Sequence, residues 1–344
     1  MADSSSAPIK DAPAPFNKAA ANIILRSVDS VDFRVREGIL AEASSVFEDM
    51  FSLPPLPGLN ASRKRTERDD QEYRDDVPVI PVSETAPTLD NLLRFEKPKM
   101  KSATEICDAL EASKKYMMEQ AEKSIKEQFV EQVEREPLVL YAISACHNWT
   151  DEMKIAAKAS LGVPLPVGTW VKEMELMGAM AYMRLQVYHQ ACAAAAAAAV
   201  VRLTGDGLLH CPSIVNDSSV WFTCALHYDI PETRSNPFHR VDDGLTGKRP
   251  HKKFWIGATS KQVFACLWIV QFLQELRGEV QNRPRGATVS NSALTFRYTT
   301  EGTRDCSEPS CSARVSGDIR ALRDLLVVAV DTAVSRVQLE VTAA

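Results

Sequence analysis

Asn22 to Phe51 reads NIILRSVDSVDFRVREGILAEASSVFEDMF, and its periodicities decide the fold of the N-terminal part. Asn22-Ile23-Ile24-Leu25 is a short apolar run, suited to a strand covered on both faces. Ser27-Val28-Asp29-Ser30 supplies a turn, since Asp and Ser side chains bond their own backbone. Val31, Phe33 and Val35 then alternate with Asp32, Arg34 and Arg36, the period of a half-buried strand. Gly38 breaks that pattern. From there Ile39, Leu40, Ala43, Val46, Phe47, Met50 and Phe51 recur at spacings of three and four, one apolar stripe on one helix. Pro54-Pro55 ends it, because proline cannot continue a helix.

Outward from this nucleus, Val77 to Glu84 reads as a third strand and Thr88 to Leu93 as a short helix. Ile106, Ala109, Leu110, Ser113 and Met117 mark the next helix, and Ala121, Ile125, Phe129 and Val133 another. Glu136-Pro137-Leu138 opens one more, with proline in the tolerated first position. The run Ile23-Ile24-Leu25-Arg26-Ser27, with Asp29, Phe33, Val35, Ile39-Leu40, Ala43-Ser44, Phe47 and Asp49 to Pro54, resembles the start of a BTB/POZ domain. The variety is the one abundant in basidiomycete, mushroom-forming fungi. Three departures stand out: Asn22 where Asp is usual, Ser30 in place of the turn glycine, and Arg36-Glu37-Gly38 in place of a His-Lys-Ala type of sequence. Tyr116 to Leu161 is again similar to that family, so about half of the chain carries the resemblance.

The expected architecture is α+β: a BTB/POZ-like domain, a small mixed sheet flanked by helices, followed by a mostly α-helical C-terminal region. Residues 1–19 read as a disordered tail of Ala, Ser, Pro and Asp, without the basic start and apolar core of a signal peptide. Residues 20–135 hold the BTB-like domain, with a polar insert at 54–76 whose Arg63-Lys64-Arg65 nearly balances Asp69-Asp70 and Asp75-Asp76. Residues 136–340 form the helical region. There a helix from Trp170 past Met180, Met183 and Val187 into the alanine tract at 193–199 is expected, with its methionines in the core. Periodicity is lost between Thr204 and Thr259. Val263 to Val280 marks a buried helix, and Ile319 to Val337 a last one capped by Ser316.

Composition bounds the function. A formal net charge of −5 and a pI near 5.8 give no sequence-independent grip on nucleic-acid phosphates. No run reaches the roughly 18 apolar residues a membrane span needs. Both fit a soluble protein of the cytoplasm, the nucleus or both, where eight cysteines would stay reduced. Cys211, Cys224, Cys306 and Cys311, with His210, His227 and His239, are the weak metal candidates. The Cys306-x4-Cys311 spacing is loose for zinc and no Cys-x-x-Cys accompanies it, so thiols without metal are the favoured reading. Gly244 to Arg249 lacks the Gly-Lys-Ser/Thr ending of a phosphate loop, and no Gly-x-Ser-x-Gly elbow occurs. His189 reads as a surface or core histidine. No catalytic residue, cofactor or enzyme activity is expected.

The resemblance implies binding of other proteins: self-association, docking of partners and, in some members, a cullin that links the partner to a ubiquitin ligase. An apolar face on the hairpin and first helix would serve, with Phe47, Met50, Phe51 and Leu53 as its residues, unless these are core. Arg94-Phe95-Glu96 lacks the hydrophobic-x-acidic motif often found in cullin-binding relatives. The alternative is a scaffold in transcriptional regulation, acting through partners because the chain has no basic helix or zinc-finger array.

Overall fold

In the computed structural model, the residues described are 8–52, 72–94, 98–166, 168–203, 209–214, 217–224, 251–256, 261–305 and 309–341. Contacts divide the chain into two compact units, residues 1–140 and 141–344. Both helices and strands are present, with a sheet near the N-terminus and a C-terminal region dominated by helices.

Unit 1 contains β1 (Lys10–Asp11), β2 (Ile23–Arg26), β3 (Val31–Val35), α1 (Glu37–Ala43), α2 (Ser45–Ser52), β4 (Glu72–Arg74), β5 (Val77–Pro81), α3 (Ala86–Leu93), α4 (Ala103–Lys115) and α5 (Glu119–Val133). The sheet order is β1-β3-β2-β5-β4. β2 runs antiparallel to β3 and parallel to β5, in the register that sets Leu25 opposite Phe33 and Ile80. Its core is Ile24, Leu25, Phe33, Phe47, Leu89, Leu92, Leu110 and Phe129, all buried. Burying one such side chain contributes about 1.5–3 kcal/mol.

Four expectations for this unit need correction. The tail is not wholly disordered: β1 pairs in parallel with β3, and Phe16 is buried against Phe33 with ring centroids 5.4 Å apart. The single helix over Ile39 to Phe51 is two. Buried Ser44 takes an extended backbone and its hydroxyl accepts from Phe47 N–H at 3.2 Å, capping α2 where a continuous helix was expected. Residues 72–76, assigned to the polar insert, form β4 and a turn in which Asp75 and Asp76 have φ of 53° and 62°. That doubled positive φ is the hairpin geometry Asp tolerates. The alternation along β3 also fails at Asp32, which is buried.

Unit 2 begins inside α6 (Pro137–Cys146) and continues with α7 (Thr150–Ser160), a 3-10 turn at Lys172–Glu175, α8 (Ala179–Val200), β6 (Arg202–Leu203), β7 (Leu209–Cys211) and α9 (Val220–Thr223). β8 (His251–Ile256), β9 (Lys261–Cys266), α10 (Leu267–Asn282), α11 (Gly286–Ser290), α12 (Leu294–Asp305) and α13 (Pro309–Ser335) complete it. α8 packs on α10 and α13, and α12 also packs on both of those helices. The buried Cys192, Ala196, Ala197 and Val200 of α8 allow close approach. Two glycines are required by contact. A Cβ on Gly286 would come within 2.9 Å of the Val327 carbonyl oxygen, and one on Gly302 within 2.9 Å of the Trp268 ring.

A four-stranded sheet of order β6-β7-β8-β9 was not foreseen in this helical region. Val263 and Phe264 belong to β9, and the helix expected there starts at Leu267. α8 starts at Ala179, leaving Trp170 outside it, and Met180 and Met183 are exposed instead of filling the core. Ser316 lies inside α13, which begins seven residues earlier, at Pro309. No helix among the described residues is long and apolar enough to cross a membrane.

Candidate interaction surface

In unit 1 the helices beside the sheet are tied down by polar contacts, most of them near the surface. Asn22 accepts from the Glu37 backbone N–H at 2.9 Å and its amide donates to the Glu37 carboxylate at 3.2 Å, fixing the start of α1. Asn22 thus helps to cap the helix. Asp29 does the same for α3, accepting from Ala86 N–H at 2.8 Å. Ser44 donates to the Tyr116 carbonyl at 2.5 Å, tying α2 to the end of α4.

Tyr116 gathers this end of the unit. Its ring stacks on Phe47 at 4.9 Å, and its hydroxyl donates to Glu84 at 2.6 Å, where Lys115 Nζ also arrives at 2.6 Å. Burial pushes the Glu84 carboxyl up, but the bonds from Lys115 and Tyr116 outweigh it and hold it below its usual range. Burial, with Glu84 alongside, raises the Tyr116 phenol. Phe47 is therefore an anchor, 1% exposed, with Phe51 also stacked against it at 5.9 Å.

At the sheet, Asp32 accepts from Arg26 Nε and Nη2, at 2.6 and 3.0 Å, and from Arg74 at 2.6 Å, while Arg26 Nη1 donates to Glu72. Arg26 stands opposite Asp32 in the register of β2 and β3, so pairing of the strands delivers the charge partner. Burial raises the Asp32 carboxyl, and hydrogen bonds to the two arginines more than reverse it, holding it well down. This is a structural node without a free acid or base.

Of the interaction residues read from the sequence, Phe47 is core, Phe51 is half-buried, Met50 is exposed and Leu53 lies outside the described residues. Ile39 on α1 and Met117 after α4 are the more exposed apolar side chains nearby, and Met117 Sδ sits 3.5 Å from Ser45 Oγ of α2. Helical spacing had placed both on buried stripes. Positive φ at Met117 takes it out of α4. In unit 2, Met180, Met183 and Val187 lie along one side of α8, all more than half exposed.

Cys211, Cys224 and Cys311 are buried, and Cys306 is outside the described residues, as are His227, His239 and Lys248. Burial pushes the Cys211 thiol up to about 12, so it stays protonated. His210 beside it accepts from Arg202 at 3.0 Å. Among the described residues no three His, Cys, Asp or Glu side chains are grouped to hold a metal ion. His189 is buried on α8 with its Nε2 2.7 Å from Ser160 Oγ. Burial lowers its pKa to about 4, which keeps the ring neutral.

Compared with known proteins, the chain matches no family model and no curated sequence.

Proposed function

We propose that the chain is a protein-interaction module, an oligomerising adaptor or scaffold whose unit 1 is a BTB/POZ-like domain. The observation that carries this reading is the order two strands, two helices, two strands, short helix, two helices in β2 to α5, on the residues that resemble that family. It is supported by apolar side chains left outside: Ile39, Met50 and Met117 in unit 1, and the Met180, Met183 and Val187 stripe in unit 2. Exposed apolar patches of this kind mark protein-binding surfaces. Methionine suits a surface that must fit more than one partner, since its side chain is flexible and polarisable. On this reading the chain is non-enzymatic. Unit 1 brings copies together and docks a partner, in one form a cullin, while unit 2 receives the client.

The test uses the full chain. Sedimentation over a micromolar concentration series is expected to show a dimer or larger species, and Met50→Asp with Ile39→Asp is expected to weaken it. The tagged protein is expected to retain untagged copies of itself, and cullin retention would place it in a ubiquitin ligase. A species that stays monomeric and retains neither itself nor a cullin sinks the proposal.

A further inference from the structure

Unit 2 contains a cleft of about 980 Å³, at the large end of small-molecule sites. Its floor is α8, one wall is the chain after α7, and the other runs from the end of α10 through α11. Five of its eighteen lining residues are carboxamides: Gln186, Gln190, Gln281, Asn282 and Asn291. The whole chain of 344 residues has only 9 Asn and 11 Gln, so this side chain is concentrated here. Gln186 is buried and donates to the Tyr182 hydroxyl at 3.0 Å. The other four are exposed, and their side chains hydrogen-bond to nothing among the described residues.

The remaining polar groups are mostly engaged by the protein. The Thr288 hydroxyl donates to the Arg283 carbonyl at 2.7 Å, and the Ser292 hydroxyl accepts from Leu294 N–H at 3.2 Å. Arg285 lies against Gly162, where an added Cβ would come within 2.6 Å of its Nη1. That leaves Glu279 and Arg283, one charge of each sign, so the lining does not select an ion. No Phe, Tyr or Trp lines the cleft, so nothing is offered for a nucleobase or sugar ring to stack on. A carboxamide presents a donor and an acceptor together, and so does the peptide group.

The cleft also borders the apolar stripe of α8. Gln186 follows Met183 by three residues and Gln190 follows Val187 by three, so each pair is adjacent on the helix surface. Met183 and Val187 are 52% and 58% exposed. A strand of polypeptide sends successive side chains to opposite sides, so its main chain and one row of side chains can meet different surfaces.

We infer that this cleft holds an extended, uncharged segment of the client protein. Gln190, Gln281, Asn282 and Asn291 bond to its main chain, and apolar side chains of the segment rest on Met183 and Val187. The inference rests on the proposed role of unit 2 in receiving a client, and gives that role a site and a mode of recognition.

Because the main chain is what is read, a plain peptide serves as the probe. Calorimetry on the full chain uses a capped heptapeptide of alternating leucine and serine, about 23 Å long when extended. The same peptide N-methylated at every second amide, and maltotriose, are the comparisons. The heptapeptide is expected to bind with a Kd of about 1 mM or tighter. N-methylation removes donors and keeps the side chains, and should weaken binding about tenfold or more. Gln190→Leu keeps the volume and should weaken it about fivefold, the worth of one hydrogen bond, with the tryptophan-monitored unfolding midpoint unchanged. No binding of the heptapeptide, equal affinity for its N-methylated form, or full affinity in both Gln190→Leu and Gln281→Leu overturns the inference. Maltotriose binding more tightly than the heptapeptide would make this a sugar site and overturns it equally. A chain that self-associates in sedimentation yet binds no heptapeptide loses this inference alone. One that binds the heptapeptide while staying monomeric upholds it and loses the oligomer reading alone.

Discussion

The two units are held together by different physics. In unit 1 the joints between elements are charged or hydrogen-bonded: Asp32 with Arg26 and Arg74 at the sheet, Glu84 with Tyr116 and Lys115 at the helix ends. Unit 2 has polar joints too, such as Glu275 with Arg297 and Tyr298, but two of its joints depend on close contact, with Gly286 and Gly302 admitting neighbours that a methyl group would displace. Buried charges are costly to leave unpaired, whereas tight helix contacts are sensitive to volume. The first unit should therefore fail when a partner is removed, the second when an atom is added. The tryptophans separate the two, since all five lie at 149 or beyond and so report unit 2 alone.

The largest effect is expected from Asp32→Ala. It strips two arginines of a buried carboxylate, a loss of about 3 kcal/mol, the low end for breaking a buried pair, because both arginines reach solvent and keep Glu72 and Asp11. Urea unfolding followed by circular dichroism should show an early transition, while tryptophan fluorescence keeps its midpoint. Coincident shifts in both signals would mean that the units unfold as one, and the comparison would break.

Acid should separate the units in the reverse order. The His189 pKa is depressed from 6.5 to about 4, so the unfolded chain binds its proton first. The stability it withholds is intact above about pH 6.5 and lost as the pH falls toward 4. At 1.36 kcal/mol per pH unit, that is about 2 kcal/mol by pH 5. The carboxylates of Asp32 and Glu84 are also depressed, so their contribution is full above the ordinary carboxylate pKa of about 4 and is lost only below it. Unit 2 should thus weaken between pH 6.5 and 5 while unit 1 holds. His189→Gln should flatten the tryptophan-monitored midpoint over that window, and an unchanged slope would show that another group titrates there.

Gly286→Ala follows, with a cost of about 1–3 kcal/mol as α11 is pushed from the Val327 carbonyl and the Asp331 carboxylate, to which Gly286 N–H now donates at 2.7 Å. The tryptophan midpoint is the readout. A neutral result would show that α11 can move away, and the volume argument would then rest on Gly302.

What the sequence made legible divides along the same line. Local periodicity located β2, β3 and α3 to α6, because each buries one stripe of its own. It failed wherever a distant residue decided the outcome. Asp32 looked like a solvent position on an alternating strand, and nothing nearby announces Arg74, which lies 42 residues on. Ser44 looked like a helix interior until the Tyr116 carbonyl took its hydroxyl. Met180 and Met183 fit an apolar stripe and are exposed all the same, since periodicity marks a face without saying what covers it. The hydrogen bond that holds the buried His189 ring was beyond local reading, because its partner, Ser160, lies 29 residues away.

The smallest expected effect bears most directly on the family resemblance. Ser30 occupies the hairpin turn with φ of 62°, where the sequence pattern it resembles has glycine; its backbone N–H donates to Ser27 at 3.0 Å and its carbonyl accepts from Lys10 N–H at 2.9 Å. A left-handed backbone costs a residue with a Cβ about 1 kcal/mol or more, and glycine is spared this. Glycine also gains freedom in the unfolded chain, which takes back part of the advantage. Ser30→Gly should therefore stabilise unit 1 by about 0.5 kcal/mol, seen as a higher midpoint by circular dichroism with no change in tryptophan fluorescence. Destabilisation would mean that the Ser30 side chain holds the turn through a contact of its own, and that this hairpin solves the turn by a different route from the family it resembles.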